Sequence, residues 1–255
     1  MIILLSPAKT LDFDSPFTET PTEPRFAVEA RRIARDAARL KPSELAALMH
    51  ISDTLAELNA KRFKTFRKAD ARPAIRAFAG DVYRGFDAKS AEADMLAFAQ
   101  AHLRILSGLY GVLRPLDQIR PYRLEMGTGW APKGGRLVDY WGRKVARSLL
   151  AELKDQGSGT ILNLASREYY AVVGPFVPKK VSVVSPDFRV RTAKGLQFQS
   201  FPAKVARGAL ARFICDERIE DPAALCAFDR DGWQFDPASS TTKTPLFVKG
   251  SIEPR

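Results

Sequence analysis

Arginine and tyrosine side chains alternate with acids along a proline-punctuated stretch from residue 104 to residue 127. Its polar candidates are Arg104, Arg114, Asp117, Tyr122, Arg123 and Glu125. Guanidinium groups bind phosphate oxygens in bidentate geometry, and tyrosines stack on bases or donate to phosphates. Two of the arginines have an acid two or three positions further on. The stretch is therefore either a phosphate-contact region or a loop fixed by internal ion pairs.

Two other segments place small polar side chains where a short apolar strand is expected to end. The first is Ser6-Pro-Ala-Lys9-Thr10, and the second carries Asn163, Ser166, Glu168 and Tyr169. The first N–H groups of a helix lack intrahelical partners and bind anions, which makes a phosphate pocket one interpretation. The other interpretation is structural, with Ser166 as an ordinary helix N-cap and Lys9 as a solvated loop residue.

Basic residues also gather in clusters elsewhere in the chain. Lys204 and Arg207 lie three positions apart and share one face of the helix predicted after Pro202. The stripe Arg31–Arg39 and the run Lys61–Arg76 are interpreted as solvated faces or as sources of general attraction. Single clusters of this kind are usually solvated faces, whereas several together favour convergence on one groove.

The net charge points to the same class of partner. The 255 residues include 40 Lys+Arg and 29 Asp+Glu, so the formal charge is +11. An excess of this size suggests a polyanionic partner. The composition is that of an ordinary globular protein, and it excludes collagen-like, disulfide-stapled and wholly disordered chains.

Motifs for nucleophilic, nucleotide-dependent or metal chemistry are not found in the sequence. It contains no G-x-S-x-G, no P-loop and no G-x-G-x-x-G. His50 and His102 are far apart, and no C-x-x-C or H-E-x-x-H spacing occurs. We therefore expect no metal and no cofactor and assign no catalytic residue.

The cysteines and the apolar segments predict a cytoplasmic protein. The first apolar run ends at Ser6-Pro7, too early for a signal peptide, and no run is long enough to span a membrane. Cys215 and Cys226 are expected to be buried, reduced thiols.

The elements that must position these residues are helices and strands in alternation. Strands are expected near residues 2–5, 160–165, 181–191, 196–201, 233–235 and 246–248. Helices are expected near residues 25–40, after Pro42 with Ser43 as N-cap, and near 53–66, 90–103 and 202–217. Because no linker divides the chain, we expect one compact mixed α/β (α+β) domain over residues 1–255, with a central mixed sheet and surrounding helices.

Several of these segments together resemble the YaaA family of bacterial peroxide-stress proteins. The matching stretches, in chain order, are Leu5-Ser-Pro-Ala-Lys9-Thr10-Leu11, Gly80-Asp-Val-Tyr83, Gly85-Phe-Asp87-Ala88, Leu106-Ser-Gly-Leu-Tyr-Gly111-Val-Leu-Arg114-Pro-Leu-Asp117, Pro121-Tyr-Arg-Leu-Glu-Met126, Asn163-Leu-Ala-Ser166, Glu168-Tyr169, and Lys204 with Ala206-Arg-Gly208. They span nearly the whole chain.

The resemblance implies a cytosolic protein with a positively charged cleft, a role in the hydrogen peroxide response, limitation of iron-driven damage, and binding of duplex or branched DNA. It also implies a helix-hairpin-helix, which we place at Leu103–Leu116 around Gly108-Leu-Tyr-Gly111. The other interpretation of these residues is a plain turn, and the segment before it could also be a strand.

Two functional hypotheses follow. In the first, a non-enzymatic protein binds DNA phosphates, with little base readout, through Lys9, Arg104, Arg114, Arg123, Lys204 and Arg207. In the second, an enzyme acts on a phosphorylated or nucleotide-like small molecule in the same cleft. Its polar candidates are Asp117, Tyr122, Glu125, Asn163, Ser166, Glu168 and Tyr169. Direct sequestration of iron is a weaker third hypothesis, because the usual histidine and cysteine ligands are missing.

Overall fold

Strands and helices alternate along residues 1–250, which are the residues that this computed structural model describes. The strands are β1 (Ile2–Leu5), β2 (Arg72–Pro73), β3 (Leu103–Ser107), β4 (Gly111–Leu113), β5 (Gln118–Ile119), β6 (Thr160–Asn163), β7 (Ser182–Val184), β8 (Asp187–Thr192), β9 (Gly195–Gln197), β10 (Trp233–Phe235) and β11 (Leu246–Lys249). The α-helices are α1 (Ala27–Ala37), α2 (Pro42–Met49), α3 (Asp53–Thr65), α4 (Ala74–Ala77), α5 (Asp81–Phe86), α6 (Ala93–His102), α7 (Leu137–Asp155), α8 (Arg167–Tyr170) and α9 (Ser200–Asp216).

A five-stranded mixed sheet with the order β4-β3-β1-β6-β7 contains the most deeply buried strand, β1. This strand pairs in parallel with both β3 and β6, and Ile2, Ile3, Leu4 and Leu5 are all fully buried. A continuous apolar run is typical of a strand that is covered on both faces. The predicted strand at residues 2–5 and the mixed α/β class are therefore confirmed.

The strand order places a topological switch point between β1 and β6. From β1 the chain passes to β3 on one side, and from β6 it passes to β7 on the other side. The connections therefore diverge, and a crevice opens outside the carboxyl ends of the two neighbouring strands. This crevice lies where Ser6 follows β1 and where Leu164 follows β6.

Residues 103–116, where a helix-hairpin-helix was expected, begin with a β-hairpin instead. Strands β3 and β4 pair antiparallel, and the turn between them is closed by the Tyr110 N–H, which donates to Ser107 Oγ at 2.9 Å. Gly111 has a φ of +71°, and a Cβ there would lie 2.7 Å from the Trp141 ring. All five residues of β3 are buried, because this strand fills the place beside β1 in the sheet.

Helices α5 and α9 pack backbone to backbone beside the crevice. A Cβ on Gly208 would lie 1.8 Å from the Val82 carbonyl oxygen, and a Cβ on Gly85 would lie 2.0 Å from the Val205 carbonyl oxygen. Two glycines thus allow a close approach that no side chain permits. The approach holds the first turns of α9, which carry Lys204 and Arg207, against the start of α5.

Several other predicted elements are confirmed, with shifted boundaries. The strand predicted at residues 181–191 is divided into β7, at the edge of the five-stranded sheet, and β8, which pairs with β9 as the predicted hairpin. Strand β9 ends at Gln197, and residues 200–201, predicted as strand, begin α9. The helix predicted after Pro202 and the two late strands are present as α9, β10 and β11. Strands β8, β9, β10 and β11 form a second sheet with the order β10-β11-β8-β9, and helix α9 packs beside this sheet. Helix α2 begins at Pro42 with Lys41 as N-cap, rather than after a Ser43 cap.

The predicted start of one helix and the predicted burial of one cysteine are wrong. Helix α6 begins at Ala93 rather than near residue 90. Cys215 is buried and Cys226 is exposed, and both are free thiols, so the prediction of burial is wrong for Cys226. Within residues 1–250, no helix combines the length and the apolar character needed to cross a membrane.

Candidate functional site

The crevice at the carboxyl ends of β1 and β6 has a volume of about 530 Å³. It is built from the loop after β1, the turn into α5, the loop after β6 and the first turns of α9. Its polar lining residues are Ser6, Lys9, Thr10, Asp81, Tyr83, Arg84, Glu125, Ser166, Glu168, Tyr169, Lys204 and Arg207. The volume is in the range of sites that hold small molecules.

Ser6 joins three of the walls of this crevice. Its Oγ accepts a hydrogen bond from the Ser166 N–H at 2.8 Å, and its carbonyl oxygen accepts one from the Tyr83 hydroxyl at 3.0 Å. Ser166 Oγ in turn accepts from the Tyr169 N–H at 3.4 Å. Ser166 is therefore the N-cap of α8, as the structural interpretation of its position predicted.

The cations of the crevice lie on two of its walls. On one wall, Lys9 Nζ is 3.8 Å from Glu125 Oε1, and its side chain is largely exposed. On the other, Arg207 is half-buried, and burial lowers the pKa of its guanidinium group, although the charge of Asp187 acts in the opposite direction. Within residues 1–250, neither Arg207 nor Lys204 forms a side-chain hydrogen bond or an ion pair. Within the described part of the chain, these two cations therefore have no ion-pair partner.

The acids of the crevice are held by neighbouring groups. Glu168 Oε1 accepts a hydrogen bond from the Gly127 N–H at 3.1 Å. Glu125 Oε1 accepts one from Arg123 Nε at 2.9 Å. The second oxygen of Glu125, Oε2, is buried and has no hydrogen-bond partner among the described residues. The crevice therefore combines a cationic wall with carboxylate acceptors.

Three tyrosines lie buried at or beneath the crevice. Burial raises the pKa of the Tyr83, Tyr122 and Tyr169 hydroxyls, and the mutual proximity of the phenols acts in the same direction. The Tyr122 hydroxyl also exchanges a hydrogen bond with Ser107 Oγ at 2.7 Å. Because their ionised forms are strongly disfavoured, these groups are neutral hydrogen-bonding phenols and do not act as bases near pH 7.

Two predicted arginine contacts lie away from the crevice. Arg104 is buried, and its guanidinium binds the Glu152 carboxylate and the carbonyl oxygens of Gln100 and Ala101, so it is not free to contact a phosphate. Its pKa is lowered by burial, which the Glu152 charge opposes. Arg114 binds Asp117 at 2.8 Å. For Arg114 and for Arg123 the observed geometry is therefore the internal ion pair.

The remaining candidates divide between the crevice and its surroundings. The side chain of Asn163 accepts from the Ala165 N–H at 3.1 Å and donates to Ser185, so it shapes the loop after β6 rather than lining the crevice. The predicted residues that do line the crevice are Lys9, Glu125, Ser166, Glu168, Tyr169, Lys204 and Arg207. Asp81, Tyr83 and Arg84 also line the crevice but were not predicted as site residues, although Gly80-Asp81-Val82-Tyr83 is one of the stretches that carry the family resemblance.

A second concave surface, which we call the basic groove, runs between α1 and the end of α3. Its cations are Arg31, Arg32, Arg35, Lys64, Arg67 and Lys68, its remaining lining residues include Phe63 and Phe66, and none is acidic. The groove has a volume of about 740 Å³. From the sequence alone, these two basic segments are interpreted separately as solvated faces or as sources of general attraction, whereas the packing of α1 against α3 brings them together.

Most of the groove cations have no internal partner. Arg31 pairs with Glu23 at 3.2 Å, and Arg35 pairs with its neighbour Asp36 at 3.0 Å. The other four cations form no ion pair and no side-chain hydrogen bond within residues 1–250. Of the two surfaces, the basic groove therefore carries more cations without an ion-pair partner among the described residues than the crevice does.

Comparison with known proteins matches residues 1–239 to the family model described as peroxide stress protein YaaA. The chain belongs to the YaaA family of peroxide stress proteins. The predicted resemblance is therefore confirmed, and membership supports a role in the peroxide stress response. Similar curated proteins, each named as a UPF0246 protein, occur in several bacteria. The protein from Rhizorhabdus wittichii is 51% identical over 251 residues, covering 98% of this chain and 99% of its own length.

Two more relatives extend this comparison within the YaaA family. A protein from a Janthinobacterium strain is 46% identical over 253 residues, covering 97% of this chain and 98% of its own length. A protein from Aliivibrio fischeri is 44% identical over 255 residues, covering 98% of both chains. The likeness therefore extends over both the crevice and the basic groove.

Proposed function

We propose that this YaaA-family protein serves the peroxide stress response by binding duplex or branched DNA, without sequence preference, through the basic groove. The observation that carries the proposal is the set of four cations in the groove that have no internal partner. Side chains that neutralise phosphates release condensed counterions, and this release supplies most of the affinity of sequence-independent binding. The cations of the basic groove can contact successive phosphates of a DNA backbone, because no acid lines the groove. The carboxylates of the crevice would instead repel some of these phosphates.

The geometry of the groove fits backbone contact rather than base readout. Arg31 and Arg35 are one helical turn apart on α1, and Lys64 and Lys68 are separated by the same interval at the end of α3. Long flexible side chains on both walls can reach phosphate oxygens, while Phe63 and Phe66 form an apolar floor. Contacts of this kind position a protein on DNA without reading its sequence.

The proposal also links DNA binding to iron. Ferrous ions condense on DNA phosphates as other cations do, and a bound protein that neutralises these phosphates displaces them. Iron that has left the backbone generates oxidants further from the sugars and bases. Protection would then require no catalytic residue in this chain and no metal site of its own.

A salt titration of DNA affinity tests the proposal. We expect the binding of a fluorescent duplex and of a four-way junction to weaken with KCl, with a log–log slope of about −4 to −5. Replacing Arg32, Lys64, Arg67 and Lys68 by Gln should reduce the magnitude of the slope by about 3 to 4.

The matched control removes four exposed lysines that line neither surface, by replacing Lys154, Lys179, Lys180 and Lys194 with Gln. It has the same net charge as the groove variant, so long-range attraction is equal in the two proteins. Equal loss of affinity in both variants would overturn the assignment to the groove. Absence of binding by the wild-type protein at low salt would overturn the proposed function itself.

A further inference from the structure

We propose that the crevice binds a small phosphorylated molecule, such as a nucleoside monophosphate or a sugar phosphate, separately from DNA binding in the basic groove. The phosphate would lie against Lys204 and Arg207, and the hydroxyl or amino groups of the same molecule would donate to Glu125 and Glu168. The inference goes beyond the proposed function, because it concerns another surface and another class of ligand.

The position of the crevice is the first support. Ligands of open α/β sheets bind outside the carboxyl ends of the strands, at the point where the strand order reverses. Here that point lies between β1 and β6, and the crevice opens directly beyond Leu5 and Asn163. Its volume of about 530 Å³ accommodates a molecule of the size of a mononucleotide.

The cationic wall is the second support. Arg207 is partly desolvated, yet no acid of the described residues pairs with it. The charge of Asp187 offsets only part of this desolvation, since the pKa of Arg207 is still lowered, and a bound anion would offset more of it. Lys204 lies one helical turn away on the same face, so the two side chains can hold one phosphate together.

The backbone beneath this wall is rigid. Gly208 follows Arg207 directly and is in close contact with the Val82 carbonyl oxygen of α5. This contact prevents α9 from sliding or rotating without loss of packing. The guanidinium therefore approaches the crevice from a fixed backbone position, which lowers the ordering cost of binding.

The carboxylates of Glu125 and Glu168, which line the same crevice as Lys204 and Arg207, are the third support, because they restrict which anions can bind. Glu168 is oriented by the Gly127 N–H at 3.1 Å, and Glu125 has one oxygen, Oε2, without a partner in residues 1–250. Two carboxylates repel a molecule that is anionic throughout, but they accept hydrogen bonds from hydroxyl and amino groups. The ligand thus has an anionic end and a donor-rich end.

Titration calorimetry on the full chain tests this inference, with adenosine monophosphate, adenosine and inorganic phosphate as probes. We expect saturable binding of the monophosphate with a Kd of about 1 mM or tighter, weaker binding of phosphate, and none of adenosine. Arg207→Gln should weaken monophosphate binding about tenfold or more, because a charge-assisted contact is lost. Glu168→Gln should weaken monophosphate binding but leave phosphate binding unchanged.

Two controls separate this result from folding defects and from DNA binding. Lys154→Gln should bind the monophosphate like the wild type, and circular dichroism should show all variants to be folded. The groove variant that lacks Arg32, Lys64, Arg67 and Lys68 should keep full monophosphate affinity, so that failure of DNA binding and failure of this inference are distinguishable.

The phosphate group recognised here could also be the end of a DNA strand, and the same assay distinguishes the two sources. If an oligonucleotide with a terminal phosphate binds, if Arg207→Gln weakens that binding, and if the monophosphate does not bind, the crevice recognises DNA ends and the small-molecule inference is wrong. It is equally wrong if Arg207→Gln binds the monophosphate as tightly as the wild type.

Discussion

Gly208 on α9 lies so close to Val82 on α5 that a Cβ on the glycine would be 1.8 Å from the valine carbonyl oxygen. The clash would be with backbone, which cannot rotate away as a side chain can. We expect Gly208→Ala to force the two helices apart and to lower the free energy of unfolding by about 1–3 kcal/mol. Urea denaturation followed by circular dichroism measures this change. Gly159→Ala is the matched control, since a Cβ there meets no atom within 4 Å.

The same substitution should also affect the crevice, because α9 carries Lys204 and Arg207. Under conditions where Gly208→Ala is folded, we expect weaker monophosphate binding and unchanged DNA binding in the basic groove. A variant that loses both activities together would show that the helix contact supports the whole fold rather than the crevice.

The buried pair of Arg104 and Glu152 should be a stability element. Both side chains are nearly enclosed, and Glu152 also binds the more exposed Arg25, so removal of the Glu152 charge leaves the buried Arg104 uncompensated. We expect Glu152→Gln to cost about 3–5 kcal/mol of unfolding free energy, and Arg104→Met with Glu152→Leu to recover much of the loss. Asp139→Asn, which breaks the exposed pair with Arg136, should leave the urea midpoint unchanged.

Asp12 should make the free energy of unfolding depend on pH in the acidic range. Hydrogen bonds from Ser15, and more weakly the charge of Arg72, hold the pKa of Asp12 well below its ordinary value. A depressed folded-state pKa adds stability that is present above the unfolded pKa of about 3.9 and is lost as the pH falls toward the folded value. The stability difference between the wild type and Asp12→Asn should therefore be constant from pH 5 to 7 and should narrow below about pH 4. Urea midpoints across this range measure it, and a difference that stays constant at low pH would contradict the assignment.

The two thiols should differ sharply in reactivity. Cys215 is buried, and burial raises its pKa to about 12, so it is almost entirely protonated at neutral pH. Cys226 is exposed. Because the thiolate is the reactive species, we expect iodoacetamide and hydrogen peroxide to modify Cys226 in the native protein and to spare Cys215 until urea unfolds it. Mass spectrometry of the digested protein measures both sites, and rapid native oxidation of Cys215 would show that its surroundings open.

The parts of the fold that were predicted from the sequence rest on local signals. The apolar run of β1, the turn between β8 and β9, and the N-cap at Ser166 can each be read within a few residues. The helix-hairpin-helix that the family resemblance implied was placed on a short apolar run that is strand β3. Such a run has no periodicity that separates a buried strand from a buried helix.

The partners of the candidate site residues could not be predicted from the sequence where they come from distant segments of the chain. The partner of Arg104 is Glu152, and 48 positions separate the two residues, so no local spacing indicates the pair. The Arg114–Asp117 pair, in contrast, lies within one turn and was one of the two interpretations offered. The basic groove was missed because its charges come from two helices whose packing is decided by apolar residues such as Ile33 and Phe63.

The central position of β1 has a consequence for how the protein is made. Residues 2–5 are synthesised before β3 and β6, yet they are enclosed only when these two strands pair with them. Translation proceeds at about 5–20 residues per second, so the strand waits for β6 for about 8–30 s. During that time an Ile-Ile-Leu-Leu segment leaves the ribosome without its neighbours, and such segments aggregate readily. A member of a peroxide stress family therefore exposes its central apolar strand during synthesis until the strands that cover it have formed.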